Sequence, residues 1–198
     1  MKLLHIDSAI TGANSVSRKL TARIVARLTA QNPGLEVSYR DLAANPVPHH
    51  TGDLLAAKAT GAAGPQDQAA FDDVNAVLDA FLAADIVVIG APLYNFSIPS
   101  QLKAWMDCLA VAGRTFRYSA SGVEGLAGGK RLIVASARGN IYTDTPIAAL
   151  DHQETYIKSF FGFIGITDIE FVRAEGVALG PDVAGPAVEK ALAHADAL

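Results

Sequence analysis

Two short runs of this chain, Ile86–Ile89 (IVVI) and Leu132–Val134 (LIV), have no polar residue at alternate positions. A strand with one wet face alternates apolar and polar side chains, so runs without alternation fit strands covered on both faces, as in a parallel sheet between helices. The surrounding pattern agrees. Strand-like runs at Lys2–Asp7, Leu35–Arg40, Asp85–Ala91, Lys130–Ala137 and Ile166–Val172 are interleaved with helical patterns at Val16–Gln31, Pro65–Ala83, Ile98–Ala112 and Asp151–Gly162. Within the helical stretches apolar residues recur three and four apart, as at Leu20, Ile24 and Leu28 and again at Phe71, Val74, Leu78 and Phe81. Parallel neighbours need a crossover rather than a tight turn, and such crossovers are right-handed. The expected class is therefore α/β, a three-layer α/β/α sandwich around a five-stranded parallel sheet.

Local punctuation supports these elements. Asn32-Pro33-Gly34 ends the first helix, Ala63-Gly64-Pro65 opens the long middle one, and Gly128-Gly129 precedes the fourth strand. Ala43–Thr51 and Arg114–Gly129 read as loops. No linker or repeat divides the 198 residues, which are expected to form one domain over 1–198.

Composition narrows the partners. With 51% hydrophobic residues the chain can build a core without disulfides or a structural metal, and one cysteine, Cys108, cannot form an internal disulfide. Sixteen basic against twenty acidic residues give a net charge of -4, poor footing for a protein that neutralises phosphate backbone, so no nucleic acid partner is expected. The first residues are apolar for too short a run to make a signal peptide, and no stretch approaches the ~20 apolar residues of a membrane helix. The expectation is a cytoplasmic protein without a membrane partner.

In an open α/β sheet, ligands sit beyond the carboxyl ends of the strands, near the point where strand order reverses. Three loops lie there. The first, Asp7 to Ser17, has several hydroxyls and leads into a helix whose first amides lack intrahelical partners, an arrangement suited to an anion; Asn14 or Ser15 would equally serve as an ordinary cap. The second, Ala91 to Pro99, sets Tyr94-Asn95-Phe96 between two prolines, which predicts an extended backbone and aromatic contact for a flat ring, or an aromatic plug over the helix entry. The third runs from Ala137 through Arg138, Gly139 and Asn140. There Arg138 reads as an ordinary solvated charge, while Gly139 and Asn140 let successive amides converge on an acceptor.

Competing signatures are missing. No two glycines stand two apart, so there is no G-x-G-x-x-G, and neither a Walker sequence nor a G-x-S-x-G elbow is present. His5, His152 and His194 have no partners at metal-ligand spacing, His49-His50 reads as a loop cap, Asp72-Asp73 as a solvated helix face, and Cys108 as a packed thiol.

Several collinear stretches together are more specific than any one motif. Ser15-Val16-Ser17, Ala91 through Trp105 (APLYNFSIPSQLKAW), Thr115-Phe-Arg-Tyr118 and Phe161 through Asp168 (FGFIGITD) resemble the FMN-dependent NADH:quinone oxidoreductases, or azoreductases, of the flavodoxin-like superfamily. The resemblance implies a flavodoxin-like sandwich that binds FMN and takes NADH as electron donor. It further implies two-electron reduction of quinones and cleavage of aromatic azo compounds by ping-pong hydride transfer through the flavin N5. Carried over by position, Ser8, Ser15, Val16 and Ser17 would meet the phosphate region. Leu93, Tyr94, Asn95 and Phe96 would meet the ring and ribityl, and Ala137, Arg138, Gly139 and Asn140 the pyrimidine side. Relatives work as homodimers, and Tyr118 and Phe163 fall where aromatic residues form the substrate slot. No catalytic side chain and no metal are implied. The chain departs from the family at Ala9, Ala137 and Asn140, where a second Ser, a Ser and a Gly are usual. One lost charge-assisted hydrogen bond would cost about 1.5–3 kcal/mol. Two other classes share parts of the pattern: a flavodoxin-like single-electron carrier, and a phosphopantetheine-ester hydrolase without flavin.

Overall fold

The computed structural model describes every residue except Ser121, which falls inside the stretch expected to be a loop. In chain order the first elements are β1 (Lys2–Asp7), α1 (Val16–Gln31), β2 (Glu36–Asp41), α2 (Gly52–Thr60), α3 (Gln68–Ala83) and β3 (Ile86–Pro92). There follow α4 (Ser100–Leu109), β4 (Phe116–Ser119), β5 (Gly122–Gly125), β6 (Arg131–Ala137), α5 (Gln153–Phe163), β7 (Asp168–Ala174) and α6 (Pro181–Ala197). Five strands form a parallel sheet in the order β2-β1-β3-β6-β7. From β1 the chain goes first to one side and then to the other, so the order reverses between β1 and β3.

The missing alternation has its explanation in the register. Ile6, Ile89, Val134 and Phe171 lie side by side across the sheet and point to one layer, with Val74, Phe81, Leu102, Trp105, Ile157 and Phe161 from α3, α4 and α5. The next residues along, Val88 and Ile133, pair with each other and point to the opposite layer, against Leu20, Ile24 and Leu28 of α1 and Ala191 and Ala195 of α6. Each central strand thus buries both rows, at roughly 1.5–3 kcal/mol per large side chain.

Several expectations need correction. The five strands and four helices are present with ends shifted by a few residues, and α3 begins at Gln68 rather than at Pro65. The stretch Arg114–Gly129 is not only loop: β4 and β5 form an antiparallel hairpin there, with Arg117 bonded to Glu124 at 2.7 Å across it. The helix α2 follows directly on the loop that ends at Thr51, whose hydroxyl caps it by accepting from the Leu54 amide at 3.1 Å. The helix α6, whose bounds the apolar pattern does not reveal, starts with Pro181 and contains Gly185 and Pro186, two poor helix formers that interrupt its signal.

Candidate active site

The loops after β1, β3 and β6 meet at the carboxyl edge of the sheet. The Ile10 amide donates to the Tyr94 hydroxyl at 3.3 Å, joining the first to the second, and the Leu93 amide donates to the Ala137 carbonyl at 2.8 Å, joining the second to the third. Between them lies a pocket of about 270 Å³. Its walls are Thr11, Asn14, Ser15 and Val16, then Pro92, Leu93 and Tyr94, then Ala137 and Gly139, with Val177 beyond β7. A cleft of about 390 Å³ lies elsewhere, against β7 and α6, and takes no residue from the first two loops.

At the first loop the helix start is built for an acceptor. Ser15 is the cap of α1: its Oγ accepts from the Arg18 amide at 3.2 Å and lies 3.0 Å from the Ser17 hydroxyl. The Val16 and Ser17 amides, next to it, have no hydrogen-bond partner among the described residues. No acidic side chain stands in the first turn of α1, so nothing there opposes an anion at the positive end of the helix. Ser8 is placed differently. Its hydroxyl donates to the Gly90 carbonyl at 2.6 Å and so serves the base of the loop; like Ser17 it is fully buried and does not line the pocket. Ala9, where the family has a second Ser, is likewise buried.

Arg18 is a residue that sequence reasoning missed. Its Nε and Nη2 donate to the Ala9 carbonyl at 3.3 and 2.8 Å, and Nη2 also reaches Asp41 at 2.6 Å. It lies 3.7 Å from the buried Asp7, whose Oδ1 accepts from Thr21 at 2.8 Å. Burial works against the Asp7 carboxylate, but His5, Thr21 and Arg18 together hold its pKa below the ordinary value. Gly90 leaves room beside it, since a Cβ there would stand 2.6 Å from Asp7 Oδ1 and force the carboxylate to shift.

The second loop is not extended, contrary to what its prolines suggest. Tyr94 and Ser97 exchange backbone hydrogen bonds of 2.9 and 3.1 Å, and between them Asn95 and Phe96 have φ of 47° and 71°. Two left-handed residues closed by such a pair make a tight hairpin turn of the kind that Asn-Gly usually supplies. For Phe96 this conformation is strained by about 1–3 kcal/mol. The His152 amide, donating to the Phe96 carbonyl at 2.9 Å, helps to hold it, and both turn side chains project into solvent at the pocket mouth.

In the third loop the expectation of a solvated Arg138 is overturned: the residue is 2% exposed. Its guanidinium lies among Asp151 at 2.8 Å, Glu154, and Glu175 at 3.0 Å, and Glu154 is also gripped by Arg173 through Oε1 at 2.5 Å and Oε2 at 2.8 Å. Burial raises the Glu154 pKa, but Arg173 and Arg138 outweigh it and keep the carboxylate low. The Arg138 side chain therefore supports the loop from beneath, and it is not among the residues lining the pocket. The loop carbonyls face the same way: those of Arg138, Gly139 and Asn140 accept from Val177, Ala178 and Gly176, each at 3.0 Å. The Gly139 and Asn140 amides are left without a partner among the described residues, while the Asn140 side chain accepts from the Ile141 amide at 2.8 Å.

Tyr118 and Phe163 do not line this pocket. They flank Phe116, with ring centroids at 5.6 and 4.7 Å from it, on a surface where Tyr118 is 76% exposed. Cys108 is buried and its thiol is pushed up to about 11, mainly by that burial, so it stays protonated and unreactive. No helix among the described residues is long and apolar enough to cross a membrane.

FMN fits this donor set. Its phosphate needs unpaired amides and hydroxyls without nearby acid, which the start of α1 offers. A flavin ring gathers negative charge on its pyrimidine side when reduced, which the Gly139 and Asn140 amides would favour.

Comparison with known proteins gives the same direction. The family model described as flavodoxin-like fold matches residues 1–198. An FMN-dependent NADH:quinone oxidoreductase of Methylocella silvestris is 59% identical over 194 residues, covering 96% of this chain and 95% of that protein. One of Rhizobium meliloti is 58% identical over 190 residues, covering 92% and 89%. Among solved structures, an azoreductase from Bacillus anthracis superposes with a TM-score of 0.89 at 30% identity, covering 100% of both chains. An FMN-dependent NADH-azoreductase from the same species, solved in complex with FMN, gives 0.87 at 29%, covering 100% and 99%.

Proposed function

Because the chain belongs to the family of flavodoxin-like fold along its whole length, we propose that it is an FMN-dependent enzyme that uses NADH to reduce quinones by two electrons and to cleave aromatic azo bonds. The observation that carries this reading is the pocket itself: unpaired amides at both ends, an apolar wall between them, and no His, Asp, Glu, Lys or Cys among its lining residues.

When bound, FMN supplies the redox chemistry, accepting a hydride from NADH and giving an electron pair to the acceptor. The chain supplies place and field. Ser15 and Val16 would hold the phosphate at the pocket wall, with the unpaired Ser17 amide just behind them, each charged hydrogen bond contributing about 1.5–3 kcal/mol. Leu93 and Tyr94 would make the wall along the ring and ribityl, with Asn95 and Phe96 exposed beyond it. Ala137, Gly139 and Asn140 face the pyrimidine side, and Arg138 acts from underneath. With no acid–base side chain needed, donor and acceptor occupy one slot in turn, which gives ping-pong kinetics. Complete cleavage of an azo bond to two amines takes two such cycles.

The working unit is a homodimer in which Tyr118 and Phe163 of one copy complete the slot of the other. The exposed Tyr118 and Val123 on the β4–β5 hairpin, continuous with Phe116 and Phe163, support this reading. The chain acts as one domain over 1–198, in the cytoplasm.

Anaerobic stopped-flow mixing tests the enzyme reading. NADH should bleach the bound flavin rapidly, and a quinone should then restore its colour. A flavin that responds only when a separate reductase is added would mark an electron carrier. Protein that takes up no FMN would favour the flavin-free hydrolase.

A further inference from the structure

Glu175, just beyond the end of β7, touches no ligand-facing surface of the FMN pocket, yet one of its oxygens collects three donors. Oε1 accepts from the Tyr142 amide at 2.9 Å, the Thr143 amide at 3.1 Å and Arg138 Nη1 at 3.0 Å. It thus closes the far end of the same loop whose near end presents the Gly139 and Asn140 amides. The backbone between these ends is laced to the segment after β7: the Arg138 amide donates to the Ala174 carbonyl at 2.9 Å, and the Gly176, Val177 and Ala178 amides take the Asn140, Arg138 and Gly139 carbonyls. Every carbonyl from 138 to 140 is turned toward that segment. The peptide dipoles can therefore offer the pocket only their N–H ends.

The geometry points to Glu175 as a positioning residue that keeps the 138–143 loop in its donor-outward form and thereby sets how strongly the site prefers reduced over oxidised FMN. This rests on the reading of the pocket as an FMN site. A donor-outward loop matters little to a neutral ring and more to one that has gained negative charge, because preorganised N–H dipoles act where charge develops. If the end at 142–143 comes loose, the 139 and 140 peptides are held only by their single carbonyl bonds to the 176–178 segment, and a carbonyl that left its bond and turned toward the ring would oppose that charge. Burial pushes the Glu175 pKa up, but the donors at Thr143, Tyr142 and Arg138 more than offset it, so the oxygen stays an ionised acceptor at neutral pH.

Two near-isosteric substitutions separate reach from charge. Glu175→Gln keeps an oxygen at the same reach for the two amides and loses the charge; Glu175→Asp keeps the charge and withdraws the oxygen by one methylene. FMN affinity is measured by titration of the apoprotein, and the two-electron midpoint potential of the bound flavin by equilibration with redox dyes. Glu175→Asp should weaken oxidised FMN a few-fold and reduced FMN about tenfold more than that, which lowers the potential by about 30 mV. Glu175→Gln should stay near wild type in both. Equal weakening of the two redox forms by Glu175→Asp, an unchanged potential, or a Gln variant as impaired as the Asp one would overturn the assignment. Amide exchange at Tyr142 and Thr143 in the apoprotein reads the latch without any flavin: exchange faster in Glu175→Asp than in Glu175→Gln supports it, and unchanged exchange in Glu175→Asp refutes it. Wild-type protein that binds no FMN would instead sink the functional reading, and the role in tuning FMN with it.

Discussion

In the turn after β3, Asn95 and Phe96 are held at positive φ by the Tyr94–Ser97 hydrogen bonds and the His152 amide, while in the loop after β6 no residue from Ala137 to Thr143 has a positive φ. That second loop is fixed by backbone hydrogen bonds to 174–178 and, beneath them, by a buried guanidinium among three carboxylates. The two segments face one pocket and are joined at Leu93 and Ala137, but one stores backbone strain under neutral hydrogen bonds and the other is relaxed over a charged footing. Strain of this kind persists only where neighbouring contacts over-determine it. A buried charge persists only while its partners remain. The turn should therefore answer to changes of backbone freedom, and the loop to changes of charge and pH.

The largest expected effect comes from Arg138→Ala, which leaves Asp151, Glu154 and Glu175 facing one another without the guanidinium. Unfolding in urea should show a loss of about 3–5 kcal/mol. A loss no greater than that of an exposed arginine would break the contrast between loop and turn.

Acid is the next probe. The Glu154 and Glu175 pKa values are depressed in the folded protein, so the unfolded chain takes up their protons first as pH falls. The stability they contribute is full above the unfolded carboxylate range and is lost as pH falls through that range to the depressed values. Hydrogen exchange should show protection of the Tyr142 and Thr143 amides, which donate to Glu175, declining over that interval, while protection of the Tyr94 and Ser97 amides, where the turn contains no acid, declines less. Parallel decline of the two would contradict the proposed difference in support.

A smaller effect is expected at Asn95. Alanine there keeps a Cβ in the left-handed region and should cost about 1 kcal/mol, whereas glycine should restore or exceed the wild-type stability. Both should raise the FMN dissociation constant if the Asn95 side chain meets the cofactor, and unchanged affinity in both would remove it from the site. Smallest of all is Gly139→Ala. Gly139 has an ordinary φ, and an added Cβ meets only the Ala178 methyl at 3.5 Å, so stability should stay within about 0.5 kcal/mol. A severe loss would show that the loop is strained after all.

What could be read from the sequence depended on how local its cause was. The β3 and β6 runs announce their two covered faces by composition alone, and the three loops follow from where those strands end. The Asn95–Phe96 turn was hidden because a left-handed pair normally declares itself with glycine, and two flanking prolines suggested extension instead. Arg138 looked solvated because the residues that bury it come from 151, 154 and 175, which only the fold brings together. The same holds for Arg18, whose partners Ala9 and Asp41 belong to different strand ends. The helix α2 was legible in principle: Thr51 as cap, Leu54 and Ala57 on one face and Gly61 at φ 76° mark both its ends.

In the proposed complex, backbone amides receive the flavin phosphate at one end of the pocket and the ring at the other. Titrating FMN into isotope-labelled apoprotein and following amide resonances tests this most directly. The largest shifts should fall at Val16, Ser17, Gly139 and Asn140. Shifts confined to the cleft between β7 and α6, or none at saturating FMN, would contradict it.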